Sequence, residues 1–285
     1  MDTSTAPNSE KKLFFGLFVF PLVIAVGMAV LLCSVVLLTH EQETPETLLS
    51  GLKKSSPGKR WQKAFELSNE INRHPQKMES TAIRREMIEI LKDSERFDSK
   101  TRGYIALALS RLDSDEILDA LRGSLKKADD GFAGYALWAI GLMRRKEAAP
   151  DVETFLASDS AELRKIAAYV LGALGSQVSI PKLHPLLKDL SADVRWNAAL
   201  ALARLGSADG YDILVSMLER EKIFGEPGMN EAEAENVMIN ATKGLALIHK
   251  PGSIKTLETL SRRDKNLKVR QAAMNALQQL ENISA

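Results

Sequence analysis

Apolar side chains recur at helical spacing along the middle of this chain. Four segments of eleven residues begin at Arg102, Ala133, Arg164 and Arg195, each 31 residues after the one before. In every segment the fourth, seventh, eighth and eleventh positions are apolar, and alanine dominates the fourth and seventh. Offsets of three, four and seven residues lie on one face of an α-helix. The pattern therefore predicts a series of helices, here called repeat helices, that pack closely through alanine.

A second apolar pattern with the same period lies between the repeat helices. Pairs of apolar residues four positions apart recur there, which predicts an intervening helix in every unit. Pro150 and Pro181 stand where two of these helices are expected to begin, and proline is well tolerated at the first helical position. The pairs are Leu121 with Leu125, Val152 with Leu156, Leu183 with Leu187, and Leu214 with Leu218. Each unit is thus predicted to be a helical hairpin.

Weaker copies extend the array in both directions. They begin at Arg60, Met238 and Arg270, and the first of them is more polar, as expected of a unit at an end. Two intervals exceed the period of 31, with 42 residues from Arg60 to Arg102 and 43 from Arg195 to Met238. Together the copies predict about seven hairpins stacked into one array.

The residues of the motif resemble those of a known repeat family. The two best copies are Asp193-Val194-Arg195 followed by Ala198, Ala199 and Leu205-Gly206, and Glu162-Leu163-Arg164 followed by Ala167, Ala168 and Leu174-Gly175. The chain resembles HEAT-repeat proteins, in particular the short HEAT-like repeats of the phycobilisome lyase type. The fold class implied is all-α, an α-solenoid of about seven HEAT-like hairpins over residues 46–285. The resemblance implies a binding surface and no particular activity.

An apolar segment precedes the repeats. Residues 13–38 contain no charged side chain, and this run exceeds the roughly 20 residues that span a bilayer. It predicts a transmembrane signal-anchor helix over residues 13–39, after a polar tail over residues 1–12 and before a linker over residues 40–45. A cleaved signal peptide is one alternative, although its apolar region is typically about 7–15 residues long. A lipoprotein signal ending at Cys33 is another, but a leucine precedes this cysteine where a small residue is expected.

Basic residues near the apolar segment predict its orientation. Lys11 and Lys12 lie on its N-terminal side, whereas the other side begins with Glu41 and Glu46 and has no lysine before Lys53. Because the side richer in lysine and arginine stays in the cytoplasm, we expect the N-terminus there and the repeats on the outer side. In a bacterial cell with two membranes this side is the periplasm.

No familiar catalytic arrangement is present in the sequence. No histidine has a metal-ligating partner at helical spacing, and there is no phosphate-binding glycine loop, GxSxG elbow or CxxC pair. The histidines are His40, His74, His184 and His249. Acidic pairs such as Asp129-Asp130 lie at predicted turns, where they cap helices. We therefore expect a non-enzymatic protein without catalytic residues, cofactor or metal.

Arginine opens five of the copies and forms a column. The residues are Arg60, Arg102, Arg164, Arg195 and Arg270. One interpretation is a structural ladder, in which each guanidinium binds a turn carbonyl or an acidic residue of a neighbouring turn such as Asp193. The other is a stripe that recognises acidic partners or lipid headgroups. Ala133 and Met238 interrupt the column, and this favours the ladder.

Two groups of residues are candidates for binding a partner. The first is aromatic and consists of Trp61, Trp138, Tyr169 and Trp196, which either anchor a partner or pack between units. The second lies in the extra length between the fifth and sixth units, an insertion at about residues 221–235 whose Gly225, Pro227 and Gly228 are expected to break the helix. Phe224 and Met229 are its apolar residues. A tolerated loop without a role is the alternative.

The functional prediction is a membrane-anchored scaffold or adaptor that binds another protein, such as a membrane complex. Long surfaces made of successive hairpins suit extended protein ligands. A net charge of +1, from 38 basic and 37 acidic residues, argues against nucleic acid as a partner. The alternative is an accessory or lyase-like factor that holds a chromophore or cofactor.

Overall fold

The structure, a computed structural model, describes residues 15–39, 44–74, 80–248 and 250–284. The chain divides into two compact units, Met1–Thr44 and Pro45–Ala285. In the described ranges every regular element is a helix. The predicted polar tail and most of the predicted linker lie outside these ranges.

The described part of the first unit is a single apolar helix. A π-helical turn at Phe15–Val19 leads into α1 (Phe20–Thr39). The stretch Leu17–Val35 has a mean hydropathy of 2.7, and none of it is buried within the protein. Its length and composition are those of a membrane-spanning helix.

The second unit consists of seven consecutive helical hairpins in the part of the chain that the structure describes. The intervening helices are α2 (Pro45–Lys54), α4 (Thr81–Lys92), α6 (Asp115–Leu125), α8 (Ala149–Glu153), α10 (Ile180–Leu183), α12 (Tyr211–Ser216) and α15 (Pro251–Arg263). The repeat helices are α3 (Arg60–Arg73), α5 (Ser99–Leu109), α7 (Asp130–Met143), α9 (Ala161–Leu174), α11 (Ala192–Arg204), α14 (Glu231–Ile248) and α16 (Leu267–Ser284), and a short helix, α13 (Arg220–Phe224), precedes α14. Each repeat helix packs on the next, from α3 to α16. The predicted α-solenoid is confirmed.

The predicted apolar columns form the core of the solenoid. Ala136, Ala167 and Ala198 of the fourth column are fully buried, as are the residues of the seventh and eighth columns. The core consists of two clusters that meet at α11. One face of this helix, with Ala198, belongs to the first cluster, and the other face, with Trp196, belongs to the second. The fifth repeat helix thus links the two halves of the solenoid.

Two of the intervening helices are shorter than their apolar pairs predict. Short 3₁₀ turns, Lys146–Ala148 and Thr154–Ala157, flank α8, and similar turns flank α10. Prolines stand in the first two positions of both helices, where the missing amide hydrogen has no partner to lose. The pair Val152 and Leu156 is still buried. Tighter turns therefore replace regular helix without exposing the apolar side of the segment.

Gly172 in α9 allows α9 and α11 to approach each other closely. A Cβ atom at Gly172 would lie 2.8 Å from Cα of Ala201, which belongs to the backbone and cannot move alone. We expect Gly172→Ala to lower the free energy of unfolding by about 1–3 kcal/mol, because overpacking forces the helices apart. Urea denaturation of the chain in detergent would measure this change.

Gly134→Ala is the matched control for that experiment. Its Cβ would lie 3.6 Å from Cδ1 of Ile166, an ordinary contact, and it also stands inside a repeat helix. Alanine has the better helix propensity, so this variant should be as stable as the parent or slightly more stable. Equal destabilisation by the two alanines would contradict the close approach at Gly172.

Candidate functional site

The arginine column is a structural ladder at the positions whose contacts are described. Arg164 donates two hydrogen bonds to the carboxylate of Asp189, at 2.7 and 2.9 Å, and its remaining donors bind the carbonyls of Ser158 and Asp159. The next arginine of the column, Arg195, donates to the carbonyl of Asp189 at 2.9 Å. These bonds tie each repeat helix to the turn before it and to the next unit.

Two further arginines of the column are held in the same way. Arg102 is buried, donates to the carbonyl of Leu91 at 2.8 Å and lies over the ring of Phe132. Arg60 donates to the carbonyls of Ser55 and Arg96. Guanidinium groups engaged in this way are not available as a stripe for an acidic partner.

The acidic partner expected for the ladder, Asp193, is replaced by Asp189. Asp193 lies instead 3.9 Å from the ammonium group of Lys165. The hydrogen bonds from Arg164 lower the pKa of Asp189, because they stabilise its ionised form. Asp189 stands in the turn between intervening and repeat helix, which brings it within reach of the preceding unit. The period alone does not show which carboxylate of a turn has this reach.

The insertion continues the ladder where Met238 interrupts the column. Arg220 of α13 donates to the carboxylate of Asp264 at 2.8 Å and to that of Glu231 at 3.1 Å. The side chains of Arg220 and Asp264 are only 16% and 8% exposed, so this ion pair is largely shielded from water. Arg220 therefore joins the sixth unit to the seventh in place of a column arginine.

Much of the segment 221–235, expected to form a loop, is helical. Ile223 of α13 is buried and fixes this short helix to the second core cluster. The amides and side chains of Asn230 and Glu233 form a reciprocal capping box, with two hydrogen bonds of 3.0 Å, and start α14 at Glu231. Only the turn between the two helices matches the expectation of a broken helix.

Aromatic side chains of the first four repeat helices lie next to one another. We call this set the aromatic face, and it consists of Trp61, Phe65, Tyr104, Tyr135, Trp138 and Tyr169. Their ring centroids are 6.5 Å apart for Trp61 and Tyr104, 5.2 Å for Phe65 and Tyr104, 5.6 Å for Tyr104 and Tyr135, and 4.9 Å for Trp138 and Tyr169. Phe65 and Trp138 remain 43% and 40% exposed. The face is thus ordered by its own contacts and still open to a partner.

Small and basic residues complete the aromatic face. A Cβ atom at Gly103 would lie 2.4 Å from Cγ of Tyr135, so only glycine lets this ring lie against α5. Lys100 lies over the ring of Trp61 at 3.4 Å, and Arg204 lies over that of Tyr169 at 4.8 Å. These cation–π contacts stand at the two ends of the aromatic face.

A cavity of about 600 Å³ lies between the start of α11, the turn after α13 and the start of α14. We call it the insertion cavity. Trp196, Met229 and Val237 supply its apolar side, and Asp193, Glu226 and Glu233 are its acidic residues. Its other lining residues are Leu190, Ser191, Ala192, Pro227, Gly228, Asn236 and Asn240.

The structure places the six candidate binding residues at three locations. Trp61, Trp138 and Tyr169 belong to the aromatic face. Trp196 is buried and lines the insertion cavity together with Met229, which packs against the second core cluster. Phe224 belongs to neither surface and is 39% exposed at the end of α13.

Three members of the aromatic face were not predicted. Tyr104 and Tyr135 occupy the third position of consecutive copies, 31 residues apart, so the period itself contained their signal. Phe65 lies in the first, irregular copy, where the register of the motif is shifted: Ala64 and Leu67 are buried there, whereas Glu66 is exposed. Its place beside Tyr104 depends on this local register.

Within the described residues, no three side chains of histidine, cysteine, aspartate or glutamate form a group that could hold a metal ion. His184 lies 2.7 Å from a carboxylate oxygen of Asp209 on the exposed surface. Neither residue lines the insertion cavity or contacts the aromatic face. Binding surfaces are therefore the features that the geometry offers for function.

The geometry agrees with comparisons with known proteins. The sequence matches the family model for HEAT repeats over residues 124–189 and 149–223, in the central hairpins. The chain carries HEAT repeats. No curated protein has a sequence that matches this chain.

Solved structures show the same fold. The HEAT repeats align with the complex of CpcE and CpcF of phycocyanin lyase from Nostoc sp. PCC7120, with a TM-score of 0.55 and 19% identity over 85% of this chain and 96% of that one. The HEAT-like repeat protein from Thermococcus onnurineus NA1 is 14% identical, with a TM-score of 0.44 over 86% of this chain and 100% of that one. Likeness at this level of identity concerns the fold and not the activity.

The ladder predicts how Asp189 contributes to stability as pH changes. We expect Asp189→Asn to lower the free energy of unfolding by about 1–3 kcal/mol at pH 7, because it removes charge-assisted bonds from Arg164. The pKa of Asp189 is lower in the folded state than its usual value of 3.8, so its stabilising effect is present above that pH. The effect is lost as the pH falls through the lowered pKa. Denaturation curves at pH 7 and pH 3 should therefore show a smaller difference between parent and variant at pH 3.

Asp193→Asn is the control, because Asp193 is 58% exposed and makes only a long contact with Lys165. We expect it to change the free energy of unfolding by less than about 0.5 kcal/mol at pH 7. Similar losses for both variants, or a loss at Asp189 that does not depend on pH, would contradict the ladder.

Proposed function

We propose that this protein is a non-enzymatic scaffold or adaptor, anchored in a membrane by residues 13–39, and that its HEAT repeats bind a protein partner through the aromatic face. The aromatic face is the observation that carries this proposal. Tryptophan and tyrosine dominate the energetics of many protein interfaces, because their large side chains bury much apolar area with few rotatable bonds.

Contacts within the aromatic face favour binding further. Tyr104 touches three other rings, and Tyr169 is held between Trp138 and Arg204. Rings that are already ordered lose little conformational entropy when a partner covers them. Exposed apolar area at Phe65 and Trp138 then contributes about 25 cal/mol for each Å² removed from water.

The membrane anchor supports a partner that is itself at the membrane, such as a membrane complex. Helix α1 is long and apolar enough to cross a bilayer. The basic residues Lys11 and Lys12 place the N-terminus in the cytoplasm in this proposal, with the repeats on the outer or periplasmic side.

A second candidate function is an accessory or lyase-like factor that holds a chromophore or cofactor. The likeness in fold to the phycocyanin lyase complex favours it. The single cysteine of the sequence, Cys33, lies in α1 and not in the repeats, so a thiol of the repeats is not available to such a factor. Recovery of a bound chromophore with the purified chain would support this candidate over the scaffold.

Partner recovery tests the scaffold. We expect the double variant Phe65→Ala with Trp138→Ala to lower recovery of the partner at least about tenfold, because the truncations remove the most exposed rings of the aromatic face. Tagged full-length chains would be isolated from detergent-solubilised membranes, and the recovered proteins would be quantified by mass spectrometry.

Ile254→Ala is the control for this loss of apolar area. Ile254 is 46% exposed in α15, an intervening helix, and does not contact the aromatic face. The control should recover the partner like the parent chain, and all variants should melt at similar temperatures. Unchanged recovery with the double variant would refute the assignment of the aromatic face as the binding surface.

The proposed orientation is tested with sealed cells from which the outer membrane has been removed. Protease added outside should digest the repeats and leave only a fragment that contains the tail and α1. The expected result follows from the basic residues on the N-terminal side of the anchor. Repeats that stay intact until the membrane is opened would reverse the orientation.

A further inference from the structure

The insertion cavity combines an apolar wall with an acidic rim. Trp196, Met229 and Val237 form the wall, and carboxylates from three segments of the chain reach the rim. Its volume of about 600 Å³ lies within the range of about 300–1,000 Å³ that ligand pockets usually have. No lysine, arginine or histidine is among the residues that line it.

The extra residues of the insertion build this cavity. The turn from Glu226 to Met229 supplies four of the lining residues. Arg195 binds Glu226 at 3.1 Å and holds the turn over the start of α11. Gly228 has a φ of 79°, a conformation that glycine adopts without strain, and this allows the chain to reverse before α14.

Charges around the cavity leave an excess of acceptors. Arg195 engages Glu226, Lys165 lies 3.9 Å from Asp193, and Glu233 accepts one hydrogen bond from the amide of Asn230. An ionised carboxylate offers about four acceptor positions, so each rim carboxylate keeps capacity for a further donor. The partial positive charges at the starts of α11 and α14 offset only part of the rim charge.

Polar side chains extend the acceptor set into the cavity. Asn236 and Asn240 of α14 line it on the side of the repeat helices, and each carries a carbonyl oxygen beside its amide group. An apolar wall next to carboxylate and amide oxygens suits a ligand with an aliphatic stem and a cationic end.

We propose that the insertion cavity receives a basic side chain, arginine or lysine, of the protein partner. The aliphatic stem packs against Trp196 and Met229, and the cationic group donates to Asp193 and Glu233. This proposal rests on the proposed function, since the side chain belongs to a protein partner. It names a second binding surface, which is formed by α11, α14 and the insertion.

A peptide pair with and without positive charge tests this directly. The probes are a fluorescent peptide of sequence Gly-Leu-Arg-Leu-Arg-Gly and its analogue with citrulline at both arginines, which keeps the shape and removes the charge. Binding to the full-length chain in a neutral detergent would be followed by fluorescence anisotropy. We expect the arginine peptide to bind at least about tenfold more tightly, since a charged hydrogen-bonded pair is worth a factor of this size.

Variants of the rim locate the binding. Asp193→Asn with Glu233→Gln should weaken binding of the arginine peptide at least about tenfold and leave the citrulline peptide unchanged. Glutamine keeps an acceptor oxygen for the amide of Asn230, so the start of α14 is preserved. Glu162→Gln is the control, because Glu162 is at the position of Asp193 one unit earlier and lies outside the cavity.

A second variant keeps the test decisive if the rim variant unfolds. Asn240→Lys places a cation at an exposed position of the cavity wall and should also weaken the arginine peptide. Equal affinities for the two peptides, or full binding of the arginine peptide by Asn240→Lys, would overturn the proposal. A chain that binds the arginine peptide at the rim but recovers its partner equally well without Phe65 and Trp138 would support the cavity and contradict the aromatic face.

Discussion

Close contact between neighbouring repeat helices is the constraint on which the rest of this structure depends. Ala136, Ala167 and Ala198 have no exposed surface, and Gly172 brings the backbone of α9 against Ala201. Small residues at these positions let helices pack at short distance, and larger residues in the next columns fill the remaining space. With its inward side fixed in this way, each repeat helix presents another side to solvent in a constant orientation. Successive helices therefore align their third and sixth positions, which is how Tyr104, Tyr135, Trp138 and Tyr169 come together.

Irregular units preserve this stacking by other means. The column of arginines ties turns to neighbouring units, and Arg220 takes over this role where Met238 replaces an arginine. An ion pair as shielded as Arg220 with Asp264 is costly to break, because either partner alone would keep an uncompensated charge. The insertion is thus a structural element first, and its turn at Glu226 creates a cavity that a regular interval does not provide.

Periodicity predicted those parts of the structure that repeat. The helices, their buried columns, the number of hairpins and the engagement of Arg164 and Arg195 with neighbouring turns follow from the interval of 31 residues. Features that depend on a single local contact could not be predicted in the same way. Trp196 carries no sequence signal for burial beyond its column, and the helical start of α14 depends on the pairing of Asn230 with Glu233. Local bonds of this kind decide between a loop and a helix when the composition is equally polar in both.

Photo-crosslinking in the native membrane tests most directly whether the aromatic face contacts a protein. A photoreactive phenylalanine would replace Phe65 or Trp138 in one set of full-length chains and Ile254 in another, and adducts would be identified by mass spectrometry after illumination. Our account predicts that the two positions of the aromatic face form an adduct with the same protein and that position 254 does not. Adducts only with lipid, or the same protein captured equally at position 254, would contradict it.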